Sequence, residues 1–135
     1  MKVEKHKLTY AKTMADNYRS FIHRHPDASD VAPAEFQCHP SQAYAALMSS
    51  INDYFRYERK LALITKAKKK DPNQWLVHAL KDDDYVVEEK LCVLRMKDSV
   101  ALAMEIADAM ARHIHSYEEE VKRGKMTLKA WLKSL

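Results

Sequence analysis

The sequence predicts an all-α protein, an irregular bundle of about five helices, of which two are long and three are shorter. The first observation is composition, because the 135 residues include one glycine and four prolines. An average protein has about 12% of these two residues together. Sheets need turn glycines and doubly wound α/β folds need glycine-rich loops. The second observation is that apolar residues recur at helical spacing along most of the chain. We expect a single helical domain over 1–135, since hydrophobic residues make up 47% of the chain.

The first predicted helix covers 4–24, where apolar residues such as Leu8, Tyr18 and Phe21 form one stripe. Pro26 ends it, because the residue before a proline is disfavoured in helical geometry. A long proline-containing loop at 26–40 follows. Val31 and Phe36 give it apolar side chains to bury. Because loops of this length are uncommon in compact domains, we expect it to be either packed or functional.

The second predicted helix begins after Pro40, with Ser41 as its N-cap, and runs to about Lys70. The sequence "DPNQW" then restarts the chain with the signature of a capping box, led by Asp71. It predicts a short helix over 72–81.

The segment from Tyr85 to Arg123 has the pattern of one further long helix. Unbroken, it would measure about 60 Å at 1.5 Å per residue, whereas a compact domain of this size has a radius of gyration near ~14 Å. We therefore expect a break or bend near Asp98, or a helix that projects beyond the bundle. A strand within "YVVEEKLCVLRM" is the alternative interpretation.

The only glycine, Gly124, follows basic residues and predicts the end of this helix. Thr127 can then cap a short C-terminal helix over 125–135. Its apolar face predicts docking either onto the bundle or onto a second copy of the chain; its members are Leu128, Trp131, Leu132 and Leu135.

Composition also bounds location and partners. No apolar run approaches the ~18 residues of a membrane span, and the start "MKVEKHKLTY" lacks the apolar segment of a signal peptide. Cys38 and Cys92 lie far apart, which argues against a disulfide framework. We expect a cytoplasmic protein with no membrane partner and no cofactor. Its net charge of +4 permits a polyanionic partner without requiring one.

A basic run between residues 56 and 70 holds seven cationic side chains and one acid, Glu58. In one interpretation it binds nucleic acid or an acidic partner, through contacts that are sensitive to salt and blind to sequence. In the other, the cations complement the dipole at a helix C-terminus and are partly neutralised by the acids of 82–89. The seven residues are Arg56, Arg59, Lys60, Lys66, Lys68, Lys69 and Lys70.

Two groups of soft metal ligands flank the loop at 26–40, and four such side chains could hold zinc. Their spacing matches no familiar metal motif, because histidines two positions apart on a helix point apart. No metal site is predicted; the candidates would be His23, His25, Cys38 and His39. His113 lies on the apolar stripe of its helix and is predicted to be a partly buried core histidine.

Arg19 and His25 have R-x5-H spacing, which resembles the catalytic motif of the HEPN-type ribonucleases, a helical family. The resemblance covers seven residues. It would imply a helical ribonuclease and is one hypothesis for function.

No nucleotide-binding, hydrolase or zincin motif is present in the sequence. We therefore expect a non-enzymatic interaction protein, an inhibitor, adaptor or regulator of a larger complex that could process nucleic acid. Such compact basic helical proteins are common among phage and mobile-element products. A nucleic-acid-binding regulator acting through 56–70 is the alternative. Four aromatic side chains on short helices or at helix ends are the predicted interface anchors, for a protein partner or for a homodimer. They are Tyr57, Trp75, Tyr85 and Trp131.

Overall fold

The computed structural model describes residues 4–31, 39–70 and 83–135. They form helix α1 over Lys5–Arg24, a 3-10 turn over Pro26–Val31, helix α2 over Pro40–Lys70 and helix α3 over Asp83–Ser134. The predicted all-α class is confirmed, since these ranges contain no strand.

Three α-helices and one 3-10 turn stand in the described ranges where about five helices were expected. The predicted helix over 72–81 lies outside them. The alternative strand near residue 90 is wrong, because those residues belong to α3.

The three helices run up, down and up. Nζ of Lys5 at the start of α1 lies 3.1 Å from Oε2 of Glu58 on α2, and the Arg19 guanidinium sits 5.4 Å from the ring centre of Tyr44. These contacts make α1 and α2 antiparallel. The ion pair between Lys68 and Glu89 places the end of α2 beside the start of α3. Helices α2 and α3 are therefore antiparallel as well.

The core between the helices is rich in alanine, which lets the backbones approach closely. Its small members are fully or almost fully buried: Ala11, Ala15, Ala43, Ala103 and Ala107. Larger side chains fill the space between them, and the largest that are fully buried are Tyr18, Leu47, Tyr54, Met110 and His113. The core-facing residues of α1 include the predicted stripe of Leu8, Tyr18 and Phe21.

Helix α1 ends where the sequence predicts, with His25 leaving helical geometry before Pro26. The predicted loop at 26–40 is not irregular throughout, because its first part forms the 3-10 turn. Ala28 of this turn is fully buried in the core. The expected burial of Val31 and Phe36 lies outside the described side chains.

Helix α2 begins at Pro40, and its N-cap is His39 rather than the predicted Ser41. The backbone N–H of Ser41 donates to Nδ1 of His39 at 3.2 Å. In return the backbone N–H of His39 donates to Oε1 of Gln42 at 3.2 Å. This is a variant of the capping box, in which a histidine accepts from the second helical residue where serine or threonine would accept from the third, with proline at the first helical position.

Helix α3 is continuous for 52 residues, about 78 Å at 1.5 Å per residue. The polar residues near Asp98 do not break it, because Asp98 faces solvent on a regular helix. The predicted stop at Gly124 is wrong as well. Gly124 lacks the positive φ that a helix-ending glycine adopts, so the helix passes through it and no separate helix over 125–135 forms.

Because α1 spans only 20 residues, α3 extends past the section in which three helices pack together. Of the two expected outcomes, a break near Asp98 or a projecting helix, the second is observed. Side chains of α3 pack into the core up to Tyr117. The end of α3 is therefore a single helix that projects from the described bundle. Residues 118–135, helical through Ser134, are called the α3 extension below. No helix in the described ranges is both long and apolar enough to cross a membrane.

Candidate interaction surfaces

The α3 extension carries an apolar stripe that the described bundle leaves uncovered. Val121 is 38% exposed, Trp131 57%, Leu132 56% and Leu135 84%. The expected docking of this segment back onto the bundle is therefore not seen at Trp131, Leu132 or Leu135. Of the predicted interface anchors, Trp131 is the one whose exposed side chain the structure describes.

Of the other three predicted anchors, the structure describes the side chain of Tyr57, which lies on α2. Tyr57 is half-buried, and its ring centre lies 5.0 Å from the guanidinium of Arg56 and 5.7 Å from that of Arg95. Trp75 and the side chain of Tyr85 fall outside the described part of the chain.

Most of the basic run shares one face of α2. At 3.6 residues per turn, five of its seven members fall within an arc of about 120° on the side of the helix opposite buried Tyr54 and Leu47. All five are exposed: Arg56, Arg59, Lys60, Lys66 and Lys70. Leu63 lies within this arc and is 68% exposed. We call these six residues the basic face.

The remaining two cations point elsewhere. Nζ of Lys68 pairs with Oε2 of Glu89 at 3.8 Å, which agrees in part with the expectation that acids of 82–89 neutralise the run. Lys69 borders a shallow groove beside Glu58 and Leu61. On the basic face itself, Arg56 pairs with Asp53 at 3.4 Å. The run is thus divided between intramolecular pairing and a solvent-facing stripe.

The candidate zinc ligands are not brought together by the residues that the structure describes. His23 is exposed on α1, His25 packs its ring against Phe21 and Tyr117, and His39 caps α2. No group of three or more metal-ligating side chains occurs in the described ranges. Cys38 lies outside them.

The two residues of the R-x5-H spacing also diverge. The Arg19 guanidinium lies over the ring of Tyr44 on α2, whereas the His25 ring is 5.1 Å from that of Tyr117 on α3. They face different neighbouring helices, so this geometry does not assemble the pair into one site.

Sequence reasoning missed the buried polar centre of the bundle. His113 is completely buried, beyond the partial burial expected. Its Nδ1 lies 2.7 Å from the Tyr18 hydroxyl and its Nε2 lies 2.9 Å from the carbonyl oxygen of Ala28. The position of His113 on an apolar stripe was the available signal, but its partners are 95 and 85 residues away.

Beside this centre, an open groove of about 530 Å³ runs between α1 and α3. Its lining combines the rings of Phe21, His25 and Tyr117 with the charged side chains of Arg24 and Glu118. The Tyr117 hydroxyl donates to the Asp27 carboxylate, at 2.9 Å from Oδ2, and this hydrogen bond raises the pKa of Tyr117. This hydrogen bond joins the 3-10 turn to α3 and so stabilises the fold.

The sequence matches no protein-family model, and comparison with curated proteins and with solved structures also returns no match.

Proposed function

We propose that this protein is a non-enzymatic interaction protein that acts as an inhibitor, adaptor or regulator of a larger protein complex. The observation that carries the proposal is the α3 extension, with its uncovered stripe at Trp131, Leu132 and Leu135. Burying apolar surface contributes about 25 cal/mol per Å², and large exposed aromatic residues such as Trp131 are frequent anchors of interfaces.

The arrangement of polar groups supports the same proposal. The most buried polar centre, around His113, joins α1, the 3-10 turn and α3, and its two described hydrogen bonds are those of a structural lock. The groove beside it has Tyr117 engaged with Asp27. The binding surface and the structural lock thus occupy different parts of α3.

Site-specific photo-crosslinking in the native host tests the proposal. A photoreactive phenylalanine analogue replaces Trp131 or Leu135, and the matched control places it at Lys12, an exposed position on α1. We expect one defined foreign protein to be captured from 131 and 135 but not from 12, and its activity to change when the purified chain is added. Equal capture from all three positions, or no effect of the chain on the captured protein, would contradict the proposal.

The basic face supports a second candidate function, binding of nucleic acid by a regulator. Five cations and Leu63 on one solvent-facing stripe span about 21 Å from Arg56 to Lys70. Such a stripe can contact successive phosphates of a nucleic-acid backbone without reading its sequence. Salt-dependent binding is the property that distinguishes this candidate from the first.

A further inference from the structure

We propose that the α3 extension pairs in antiparallel orientation with the α3 extension of a second copy of this chain. The inference goes beyond the proposed function, because it gives the same uncovered stripe a second occupant, another copy of the chain, when no foreign partner is bound there. It makes the protein a two-fold dimer in which the two bundles lie at opposite ends of a short helical pair. In a two-fold dimer both chains use the same surface, so that surface must complement itself.

The first argument is that the core-facing seam of α3 runs on into the extension without a change of register. Ala107, Met110, Ile114 and Tyr117 are spaced alternately by three and four residues and pack in the bundle. The same alternation continues through Val121, Gly124, Leu128, Trp131 and Leu135. This is the seven-residue spacing of a helix that packs along one side against another helix. In the bundle the other helices are α1 and α2, and the extension has the seam without such a neighbour among the described residues.

The second argument is the distribution of charge. The extension begins with the acidic Glu118, Glu119 and Glu120, and its later charged residues are all basic: Lys122, Arg123, Lys125, Lys129 and Lys133. In a parallel pair, acidic residues would meet acidic residues and basic would meet basic. In an antiparallel pair the acidic start of each copy meets the basic end of the other. Of these charged residues, Glu118, Glu120 and Lys125 lie directly beside the seam, the positions whose charges set the orientation of paired helices.

The third argument is Gly124, which lies on the seam near the midpoint of the extension. Glycine is among the least favourable residues within a helix. Gly124 does not end the helix and has no positive φ, and among the described residues a Cβ added to it would meet nothing within 4 Å. The described part of the chain therefore gives no reason for glycine here. On the seam between two paired helices, a missing side chain lets the backbones approach closely.

Sedimentation velocity of the full-length protein over a range of concentrations at low salt tests the dimer. We expect the unmodified chain to dimerise and Leu135→Glu to weaken the dimer by about tenfold or more, since an unpaired charge would enter the seam. The matched control is Leu63→Glu, the same change at an exposed leucine on α2, which should leave the dimer unchanged. Leu135 is 84% exposed and lies beyond the bundle core, so its replacement leaves the bundle folded.

Charge reversal tests the orientation. One variant changes Glu118, Glu119 and Glu120 to Lys, and a second changes Lys125, Lys129 and Lys133 to Glu. In an antiparallel pair each variant alone loses its attractive contacts and dissociates, whereas the two variants mixed in equal amounts form a heterodimer. In a parallel pair each reversal would still place like charge against like, and dimerisation would not change.

A chain that stays monomeric at the highest concentration, or a dimer that survives Leu135→Glu, overturns this inference. The failure of the dimer can be distinguished from a failure of the proposed interaction function. If the photoreactive chain is monomeric yet captures a foreign protein through position 131, the antiparallel dimer is wrong and the interaction function stands.

Discussion

The Tyr18 hydroxyl lies 2.7 Å from Nδ1 of His113, so a buried hydrogen bond joins α1 to α3 across 95 residues of sequence. A carbonyl oxygen can only accept, so the contact between Nε2 of His113 and the Ala28 carbonyl at 2.9 Å places a proton on Nε2. In the neutral ring, Nδ1 then accepts the Tyr18 proton. One imidazole thus holds α1, the 3-10 turn and α3 in a fixed arrangement.

Removing the Tyr18 hydroxyl should destabilise the fold measurably. Tyr18→Phe keeps the ring but takes away the donor to Nδ1 of a fully buried histidine. We expect the free energy of unfolding in urea to fall by about 1–3 kcal/mol, the usual cost of leaving a buried polar atom without its partner. Tyr10→Phe, at a tyrosine that is 39% exposed, is the matched control and should change little.

A double-mutant cycle with His113→Leu separates the bond from general packing. If Tyr18 and His113 act as a pair, Tyr18→Phe should cost clearly less in the His113→Leu background than in the natural chain. Fully additive losses would show that the two side chains stabilise the core independently.

High pH should unfold the protein partly through Tyr54. Burial and the hydrogen bond to Glu58 raise the pKa of Tyr54 from 10.0 to about 12, with the hydroxyl 2.8 Å from Oε2 of Glu58. A pKa raised on folding means stability that is complete below pH 10 and is lost as the pH rises from 10 toward 12. Urea unfolding at several pH values should show this loss.

Tyr54→Phe is the control for this pH dependence. It removes the titrating hydroxyl and should flatten the fall in stability between pH 10 and 12, although the lysines still titrate there. An unchanged slope would assign the alkaline loss to other groups. The same contact gives a partner to Glu58, an acid that stands one turn after the buried Tyr54 on α2. Burial alone would raise the pKa of Glu58, but the hydrogen bonds from Tyr54 and Lys5 outweigh burial and lower that pKa.

Local signals predicted the end of α1 and the helical class well, and they failed where the deciding contact was distant or absent. Pro26 acts within one residue of His25, so its effect can be read from the sequence. The lock at His113 depends on Tyr18 and Ala28, which lie far away in the chain. Gly124 carries a helix-stop pattern, but nothing in the described bundle turns the chain back there.

The candidate surfaces follow the same division. The spacing of the basic run predicts which of its members share a face once α2 is known to be one continuous helix through Lys70. The ion pair between Lys68 and Glu89 depends on how α2 and α3 are paired, which sequence spacing does not specify. The cap at His39 was missed because serine is the commoner N-cap and Ser41 stands two positions later.

Replacing His39 should weaken the start of α2. His39→Ala removes the acceptor of the Ser41 backbone N–H, and we expect a loss of about 1 kcal/mol in the free energy of unfolding. His39→Asn supplies another good N-cap acceptor and should restore most of that loss. If Asn and Ala were equally destabilising, the histidine would be acting through some contact other than the cap.

Reversing charge on the basic face should abolish any binding of nucleic acid while leaving the fold intact. Arg59, Lys66 and Lys70 changed together to Glu alter three exposed positions on the side of α2 opposite the core, so the helical circular dichroism should not change. If the face contacts phosphates, affinity for a duplex oligonucleotide should collapse. For variants with the three cations neutralised to Gln, the slope of log K against log salt concentration should become shallower by about 3, near 0.9 for each lost phosphate contact.

The matched control changes Lys12, Arg24 and Lys90 to Glu, which shifts net charge equally at exposed sites on α1 and α3. Binding that falls equally in both charge-reversed variants would reflect net charge alone, and no binding by the natural chain at low salt would mean that these cations only solvate α2.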